Sequence, residues 1–475
     1  ELLPTGGGQN AVDFVASGTL SSGQAVILNS DGTVGSVVSP QETGTPEVFN
    51  STSSFYLASV YDPDAQKVVI AYRDNANNDY GTAVVGTVSG TSISFGTPVV
   101  IATTNIVSFS LAYDSNAQKI VIAYRDYGNS QYGTSIVGTV SGTSISFGSP
   151  VVFQSTYAPF AQAAYDSNTQ KVVIAYRENV SDNGQAVVGT VSGTSISFGS
   201  AAVFSSGTNP NSIAIAYDSN AQKIVVAFTN PQNSDYGTAI VGTVSGTSIT
   251  FGTSVVFQSS LTVNTSVVYD SNAQKTVIIY RDNVSDNGYG IVGTVSGTSI
   301  SFGSAGVFSS GNNPNEMSAA YDANAQKVVA VYADPDNSGY GTIAVGTVSG
   351  TSISFETPIT FNTTNTYFTS TIYDPNNKKL VISYTDLNNS QYGTSVVFQN
   401  EAANLADFIG ITASAIADTA TGTVNIYGGI NEAQTGLTIG ADYYVQDDGS
   451  LSTTASTVKV GKAISATTIN MMDLT

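Results

Sequence analysis

The chain contains no cysteine, no histidine and no tryptophan among its 475 residues. Without cysteine, neither disulfides nor thiolate metal sites can hold the fold, so stability has to come from packing and the redox compartment is left open. Without histidine, the usual general base near neutral pH and every Ser-His or Cys-His nucleophile arrangement are excluded. Basic residues are scarce too: 14 Lys and Arg stand against 34 Asp and Glu, a formal charge of −20. That balance repels phosphate backbones and anionic lipid, so nucleic acid is not an expected partner. No run approaches the roughly 20 apolar residues needed to cross a bilayer, and residues 1–8 form no secretory signal, so membrane insertion is not expected either.

What the chain has is Gly, Ser, Thr, Asn and Tyr, with only 10% charged residues, the composition of turn-rich β structure. It also repeats itself. The motif Tyr-Asp-x-x-x-x-Lys, followed by an apolar run, begins at Tyr61, Tyr113, Tyr165, Tyr217, Tyr269, Tyr321 and Tyr373, a period of 52 residues. Within a copy, one strand ends at Tyr-Asp and a turn leads to a returning strand such as Lys119 to Tyr124. A polar loop then precedes a third strand from Ser135, and the turn Ser141-Gly142-Thr143 leads to a fourth through Ile145 to Phe153. Four strands per copy make one blade, and seven copies predict an all-β, seven-bladed β-propeller.

The seventh copy stops after its third strand near Phe398, while Gly44-Thr45-Pro46 stands 52 residues before Gly96-Thr97-Pro98. Residues 34–49 are therefore expected to supply the missing fourth strand, closing a propeller over 34–399 and leaving no long open edge. The remaining segments, 1–33 and 400–475, read as short strands with Gly and Asp-Gly turns and are expected to form one small β domain. A closed propeller brings its own ends together and can be inserted into another domain without strain.

These terminal segments carry a resemblance. Phe14 to Gly18, Gly23 to Leu28 and Asp31-Gly32 resemble the opening of small β modules in tailed-bacteriophage virion proteins, and Phe408 to Ile411 with Gly422 to Val424 resemble their continuation. Gly436 to Thr438, Tyr443 to Val445, Asp448-Gly449 and Val460 to Ala463 are similar to C-terminal modules of phage tail and fibre proteins. About a hundred residues are covered, and the propeller lies outside them. The resemblance implies a non-enzymatic protein of the virion surface, extracellular, attached to other virion proteins through its terminal domain and displaying the propeller as a fibre head that meets a host-surface glycan or receptor. It also implies a homo-oligomer, commonly a trimer. A capsid decoration protein and a secreted bacterial lectin or adhesin are the alternatives.

The chemistry that remains is limited. A paired-carboxylate glycosidase needs only two acidic groups, but Glu178 and Glu316 fall in blades three and six, nearly opposite each other, and the sialidase Asp-box pattern is absent. The recurring pairs Asp114 with Lys119 and Asp270 with Lys275 are read as a turn-starting Asp and a Lys that pairs with a nearby acid. The series Tyr72, Tyr124, Tyr176, Phe228, Tyr280, Tyr332, Tyr384 is read as blade packing. No cofactor is expected. The alternate placing of Asp334, Asp336 and Ser338 in a Gly-containing loop suits calcium ligands, although turn geometry alone accounts for such residues.

Comparison among the copies separates two faces. The Tyr-Asp and Ser-Gly-Thr turns share one and are nearly uniform; the loops between strands two and three and between blades share the other and differ. There the position after the aromatic strand end is Arg73, Arg125, Arg177 and Arg281, but Thr229, Ala333 and Thr385 elsewhere. Tyr157 and Phe160, in one inter-blade loop with Pro159 and flanked by Arg125 and Arg177, are expected to form an exposed aromatic and cationic site for a sugar ring carrying an acidic substituent. Unconstrained variation of exposed loops is the competing reading.

Overall fold

The computed structural model describes residues 10–29, 31–39, 41–400, 402–446 and 449–471. The opening segment 1–8 and Asp448 lie outside the described residues. Two compact units are present, one formed by residues 1–42 and 399–475 and the other by Thr43–Phe398.

The larger unit is a β-propeller. In its first blade the inner strand is the second half of Glu47–Asp62. Lys67–Asp74 returns beside it, Tyr80–Ser89 follows, and Ser92–Phe95 with the start of Val99–Asp114 forms the outer edge, all antiparallel. Among the described residues seven such four-stranded sheets occur, around the returning strands Lys67–Asp74, Lys119–Asp126, Lys171–Glu178, Lys223–Asn230, Lys275–Asp282, Lys327–Asp334 and Lys379–Asp386. These strands are continuous apolar runs because both of their faces are covered by neighbouring blades, so Val68 to Tyr72 are fully buried. Inner strands of all seven sheets, including Ser59, Ser110, Gln162 and Ser318, line a central channel of about 310 Å³.

The seventh blade takes its outer strand from the first half of Glu47–Asp62: Ser395 stands opposite Glu47 and Tyr392 opposite Ser53. One strand thus belongs to two blades. The closing segment begins later than the sequence suggests, and the boundary expected at residue 34 falls at Thr43. The reason is local, since Val34–Ser36 pairs with Ala25–Leu28 inside the terminal unit. That unit holds one five-stranded sheet in the order Ala11–Val15, Thr421–Ile426, Phe408–Thr412, Ala25–Leu28, Val34–Ser36, so that two C-terminal strands lie between N-terminal ones, and a second sheet from Ile430–Asn431 to Ile469–Met471.

Blades hold each other by repeated contacts. Tyr72, Tyr124 and their equivalents are fully buried, and a phenylalanine from the outer strand of the preceding blade lies against most of them, as in Phe49–Tyr72 at 5.1 Å, Phe153–Tyr176 at 5.3 Å and Phe257–Tyr280 at 5.2 Å. Each such pair contributes roughly 0.5–1.5 kcal/mol beyond the apolar area it buries. On the uniform face, the Asp of Tyr-Asp accepts from the next turn, Asp114 Oδ1 from the amides of Asn116 at 3.0 Å and Ala117 at 2.9 Å. The Tyr reaches the turn of the blade before: Tyr165 Oη accepts from the Asn116 amide at 3.2 Å and Tyr321 Oη from that of Asn272 at 3.3 Å. Burial, with the Asp270 charge behind it, pushes the Tyr321 phenol up to about 12. The lysines differ from expectation. Lys327 meets Glu356 at 3.3 Å, but Lys119 donates to the Gln118 carbonyl of its own turn at 3.2 Å.

The glycine that opens the outer strand is required by the neighbour. A Cβ on Gly96 would stand 1.9 Å from the carbonyl oxygen of Thr143, and one on Gly44 would stand 1.8 Å from that of Thr91. Blade six carries Glu356 at this position. Its neighbour is the seventh blade, whose third strand Tyr392–Gln399 is not followed by a Ser-Gly-Thr turn, so the repeat supplies no threonine carbonyl at this place.

Candidate functional site

On the variable face, the chain crosses from the outer strand of one blade to the inner strand of the next through a bulge, as between Phe55 and Ala58 or Val263 and Ser266. At each crossing one non-glycine residue adopts the left-handed conformation: Tyr56, Ser108, Phe160, Ser212, Asn264, Glu316 and Phe368, with φ between 46° and 58°. These seven positions, 52 apart, ring the channel mouth. Serine and asparagine suit the bulge. A bulky aromatic there is disfavoured by roughly 1–2 kcal/mol, so Tyr56, Phe160 and Phe368 are not choices that the bulge itself makes.

The four residues singled out from the sequence come together. Arg125 donates from Nη1 to Tyr157 Oη at 2.6 Å, and Arg177 lies 5.1 Å from the Phe160 ring centre. The loop is held by its backbone, with Arg177 N donating to Pro159 O at 3.1 Å and Asn179 N to Tyr157 O at 3.2 Å. Sequence reasoning missed Tyr127. It accepts from Arg125 Nη2 at 3.1 Å, so the guanidinium sits between the Tyr127 and Tyr157 rings, at 4.9 and 5.0 Å from their centres. Burial lowers the Arg177 pKa, with the Tyr157 phenol and Asp182 opposing that effect and Arg125 adding to it.

Exposure is where the expectation needs correction. Phe160 and Tyr127 are 38% and 45% exposed, but Arg125 is only 9% exposed, and Arg177 is partly buried. The guanidinium groups are committed within the protein. Arg177 Nη1 donates to Asn211 Oδ1 of the next blade at 2.8 Å, and Arg281 Nη1 donates to Asn313 and Asn315. Where threonine replaces arginine, the same link persists in smaller form: Thr229 Oγ1 donates to the Thr262 carbonyl at 2.6 Å, and Thr385 Oγ1 to the Ser54 carbonyl at 2.5 Å. At Arg177, Thr229, Arg281 and Thr385 the position thus ties one blade to the next, whereas Ala333 has no side-chain donor and Arg125 bonds to tyrosines of its own blade.

Arg73 departs from this rule. It donates to Asn75 at 2.9 Å and pairs with Asp79 at 3.6 Å, both in its own loop. Its guanidinium lies 5.4 Å from the Phe55 and 4.9 Å from the Tyr56 ring centres. Tyr56 packs against Phe368 at 4.9 Å, Phe55 against Phe368 at 5.8 Å and Tyr367 against Phe368 at 5.8 Å. Tyr367 is 41% exposed. This second cluster joins the seventh blade to the first, and superposing the seven copies on the residue five before Tyr-Asp would have revealed it.

The loops also vary in a coordinated way. Blades three and five have a second-to-third strand loop one residue shorter, and the linkers after them, Ser205 to Asn211 and Ser309 to Asn315, are one residue longer. The longer linker fills the vacated space: Gly207 N donates to Asn183 Oδ1 at 2.7 Å, and Gly311 N to Asn287 Oδ1 at 2.6 Å.

Carboxylates near the rim are already engaged. Glu178 accepts from Val180 N at 2.7 Å, Ser181 N at 2.9 Å and Thr156 Oγ1 at 2.9 Å. Burial opposes ionisation there, but hydrogen bonds from Ser181, Val180 and Thr156 outweigh it and hold the carboxyl below the usual range. Glu316 accepts from Phe368 N at 3.0 Å, and burial pushes its carboxyl up. Asp334 precedes the short 3-10 turn Pro335–Asn337, closed by Ser338 at φ 56°. Asn230, Pro231–Asn233 and Ser234 form the same turn with no acidic residue, so this conformation needs no cation. Among the described residues no three His, Cys, Asp or Glu side chains cluster so as to hold a metal.

No family model matches this chain, and no curated protein matches it in sequence. Among solved structures, the BP39L lectin from Burkholderia pseudomallei aligns with a TM-score of 0.53 at 12% identity, over 75% of this chain and 98% of the lectin. The SapL1 lectin in complex with alpha methyl fucoside (15% identity, 62% and 93% covered) and AofleA from Arthrobotrys oligospora (9% identity, 87% and 99% covered) each give a TM-score of 0.39. The likeness to BP39L is one of fold: the chain is an all-β protein of the propeller architecture.

Proposed function

We propose that this protein is a non-catalytic carbohydrate-binding propeller, and that it holds a sugar with an acidic substituent on the variable face at Tyr157, Phe160, Tyr127, Arg125 and Arg177. One observation carries this reading. Arg125 donates to both phenolic oxygens, at 2.6 and 3.1 Å, so each phenol spends a lone pair on the guanidinium and keeps its own proton for another acceptor. Two O–H donors, backed by a buried positive charge, then stand beside the half-exposed ring of Phe160. A pyranose can lay its C–H face on Phe160 while its carboxylate accepts from both phenols. Absence of histidine and cysteine, and the engagement of Glu178 and Glu316 in local hydrogen bonds, support binding without catalysis. The fold shared with a protein described as a lectin supports it too. The test is a glycan array probed with the full chain and with Tyr157→Phe and Phe160→Ser variants. Signals on acidic sugars should dominate and fall in both variants; undiminished signals in both, or no sugar bound at all, would overturn the reading.

Display on a virion is the finer reading. Its support is the resemblance of the terminal segments to phage modules, joined to the finding that these segments fold into one unit distinct from the propeller. In that setting the terminal unit attaches to other virion proteins as a homo-oligomer, as a fibre head or a capsid decoration, and the propeller meets the host glycan. A secreted bacterial lectin or adhesin would use the same rim. Immunolabelling of purified particles from a producing culture separates these settings: label on fibres or capsids supports the virion, and label confined to the particle-free supernatant opposes it.

A further inference from the structure

The mouth of the propeller is chemically lopsided. Going round the ring of left-handed positions, blades seven, one and three carry Phe368, Tyr56 and Phe160, with the small Ser108 between the last two, whereas blades four, five and six carry Ser212, Asn264 and Glu316. The polar half is engaged in hydrogen bonds: Asn264 N donates to Ser212 Oγ at 3.2 Å, and Glu316 accepts from Phe368 N across the boundary with the aromatic half. The aromatic half offers partly exposed rings. Rim arginines also fall in consecutive blades on this side, at Arg73, Arg125 and Arg177.

Three observations separate the seam cluster of Phe55, Tyr56, Tyr367, Phe368 and Arg73 from ordinary packing. First, serine, asparagine or glutamate fills the equivalent bulge in four other blades, so the fold does not call for aromatics. Second, two bulky side chains occupy a backbone region that disfavours them, the kind of local strain that concentrates at binding sites. Third, Arg73 does not reach the next blade as Arg177 and Arg281 do; it is held by Asn75 and Asp79 with its guanidinium against two rings.

We propose that this seam cluster is a second sugar subsite, and that the rim takes a chain of linked acidic sugars lying across blades seven, one, two and three. The inference rests on the carbohydrate reading above. Tyr56 and Phe160 stand two blades apart, so one pyranose cannot rest on both, whereas a chain passing over Ser108 can. Aromatic faces at each end hold C–H faces of separate units, and the arginine beneath each set of rings favours an acidic substituent there.

The test measures affinity for oligogalacturonides, oligosialic acids and heparin-derived oligomers, each graded from the single sugar upward, with maltooligosaccharides as neutral controls. It compares the full chain, a seam variant (Tyr56→Ser with Phe368→Ser, residues that the same bulge already accepts in blades two and four) and the first-site variant Phe160→Ser. For at least one acidic series the unaltered chain should gain at least about tenfold between short and long oligomers. The seam variant should lose that gain and keep its affinity for the shortest binder, and Phe160→Ser should weaken every length. A seam variant that keeps the gain, or an unaltered chain that binds acidic sugars without any gain, would overturn the second subsite while leaving the first standing. Failure of every series to bind would remove the carbohydrate reading itself, and the second subsite with it.

Discussion

On the rim of the Tyr-Asp hairpins the blades meet in nearly the same way, blade six with its Glu356 excepted, while on the opposite rim the same neighbours are joined by different groups. The uniform rim leaves little choice: the Gly96 α-carbon lies so close to the Thr143 carbonyl that no side chain fits, and the tyrosine hydroxyl has one turn to reach. At four positions of the variable rim a donor crosses to the next blade, and a guanidinium on an amide or a hydroxyl on a carbonyl makes that link equally, while Ala333 makes none. Interchangeable links free the identity of rim residues for another use. A repeat can thus keep its ring closed by one rim and acquire a ligand on the other.

The sharpest way to break this comparison is at the uniform rim. Gly148→Val would place Cβ 1.8 Å from the Thr194 carbonyl, and splaying two blades should cost on the order of 3 kcal/mol or more. Glu356→Gly in blade six, whose neighbour lacks the Ser-Gly-Thr turn, should stay within about 0.5 kcal/mol, since it removes an exposed ion pair. Urea titration of both variants measures the contrast. Next in size are the variable-rim links. Thr229→Val leaves the buried Thr262 carbonyl without its hydroxyl donor and should cost about 1–3 kcal/mol. Arg125→Ala should cost at least as much, and Arg125→Lys should not restore it, because a point charge cannot serve two phenols in a fork.

Smaller still is a pH effect confined to blades three and five. Glu178 and Asp282 are both held below their ordinary range, burial being outweighed by hydrogen bonds, from Ser181, Val180 and Thr156 for the first and from Val284, Ser260 and Ser285 for the second. A depressed pKa means that these carboxylates contribute fully above the ordinary carboxylate range and lose that contribution as pH falls through the folded-state value. Hydrogen exchange at the Val180 and Val284 amides should therefore quicken, relative to other turns, on acidification, and Glu178→Gln should remove the pH dependence at Val180 alone. The smallest effect is expected at Gln118, left-handed at φ 55° in a uniform turn. Gln118→Gly should relieve up to about 1 kcal/mol of backbone strain, less the entropy that glycine adds to the unfolded chain, without altering sugar binding.

The repeat was legible in the sequence because each blade restates the same demands, and Gly44 announced the closing strand by repeating Gly96. Two things were not. Arginine in a polar loop reads as exposed, and nothing local to Arg125 shows that Tyr127 and Tyr157, from different loops, enclose it. The seam cluster joins Phe55 and Tyr56 to Tyr367 and Phe368 across more than 300 positions, so it exists only once the ring is closed. The start of the propeller was misplaced because Val34–Ser36, a short Val-Gly-Ser stretch, suits either sheet, and pairing with Ala25–Leu28 decides it.

Both connections between the two units leave the propeller from its seventh blade, side by side: the Gly44 amide donates to the Val397 carbonyl at 2.8 Å where the chain enters and departs. This arrangement determines how the propeller bears a load. Tension on one strand alone would open the pair from its free end, one hydrogen bond at a time. Tension applied to both ends together draws both strands in the same direction, so their mutual hydrogen bonds are not pulled apart and the force passes on into the sheets on either side, through the second half of Glu47–Asp62 into blade one and through Lys379–Asp386 into blade seven.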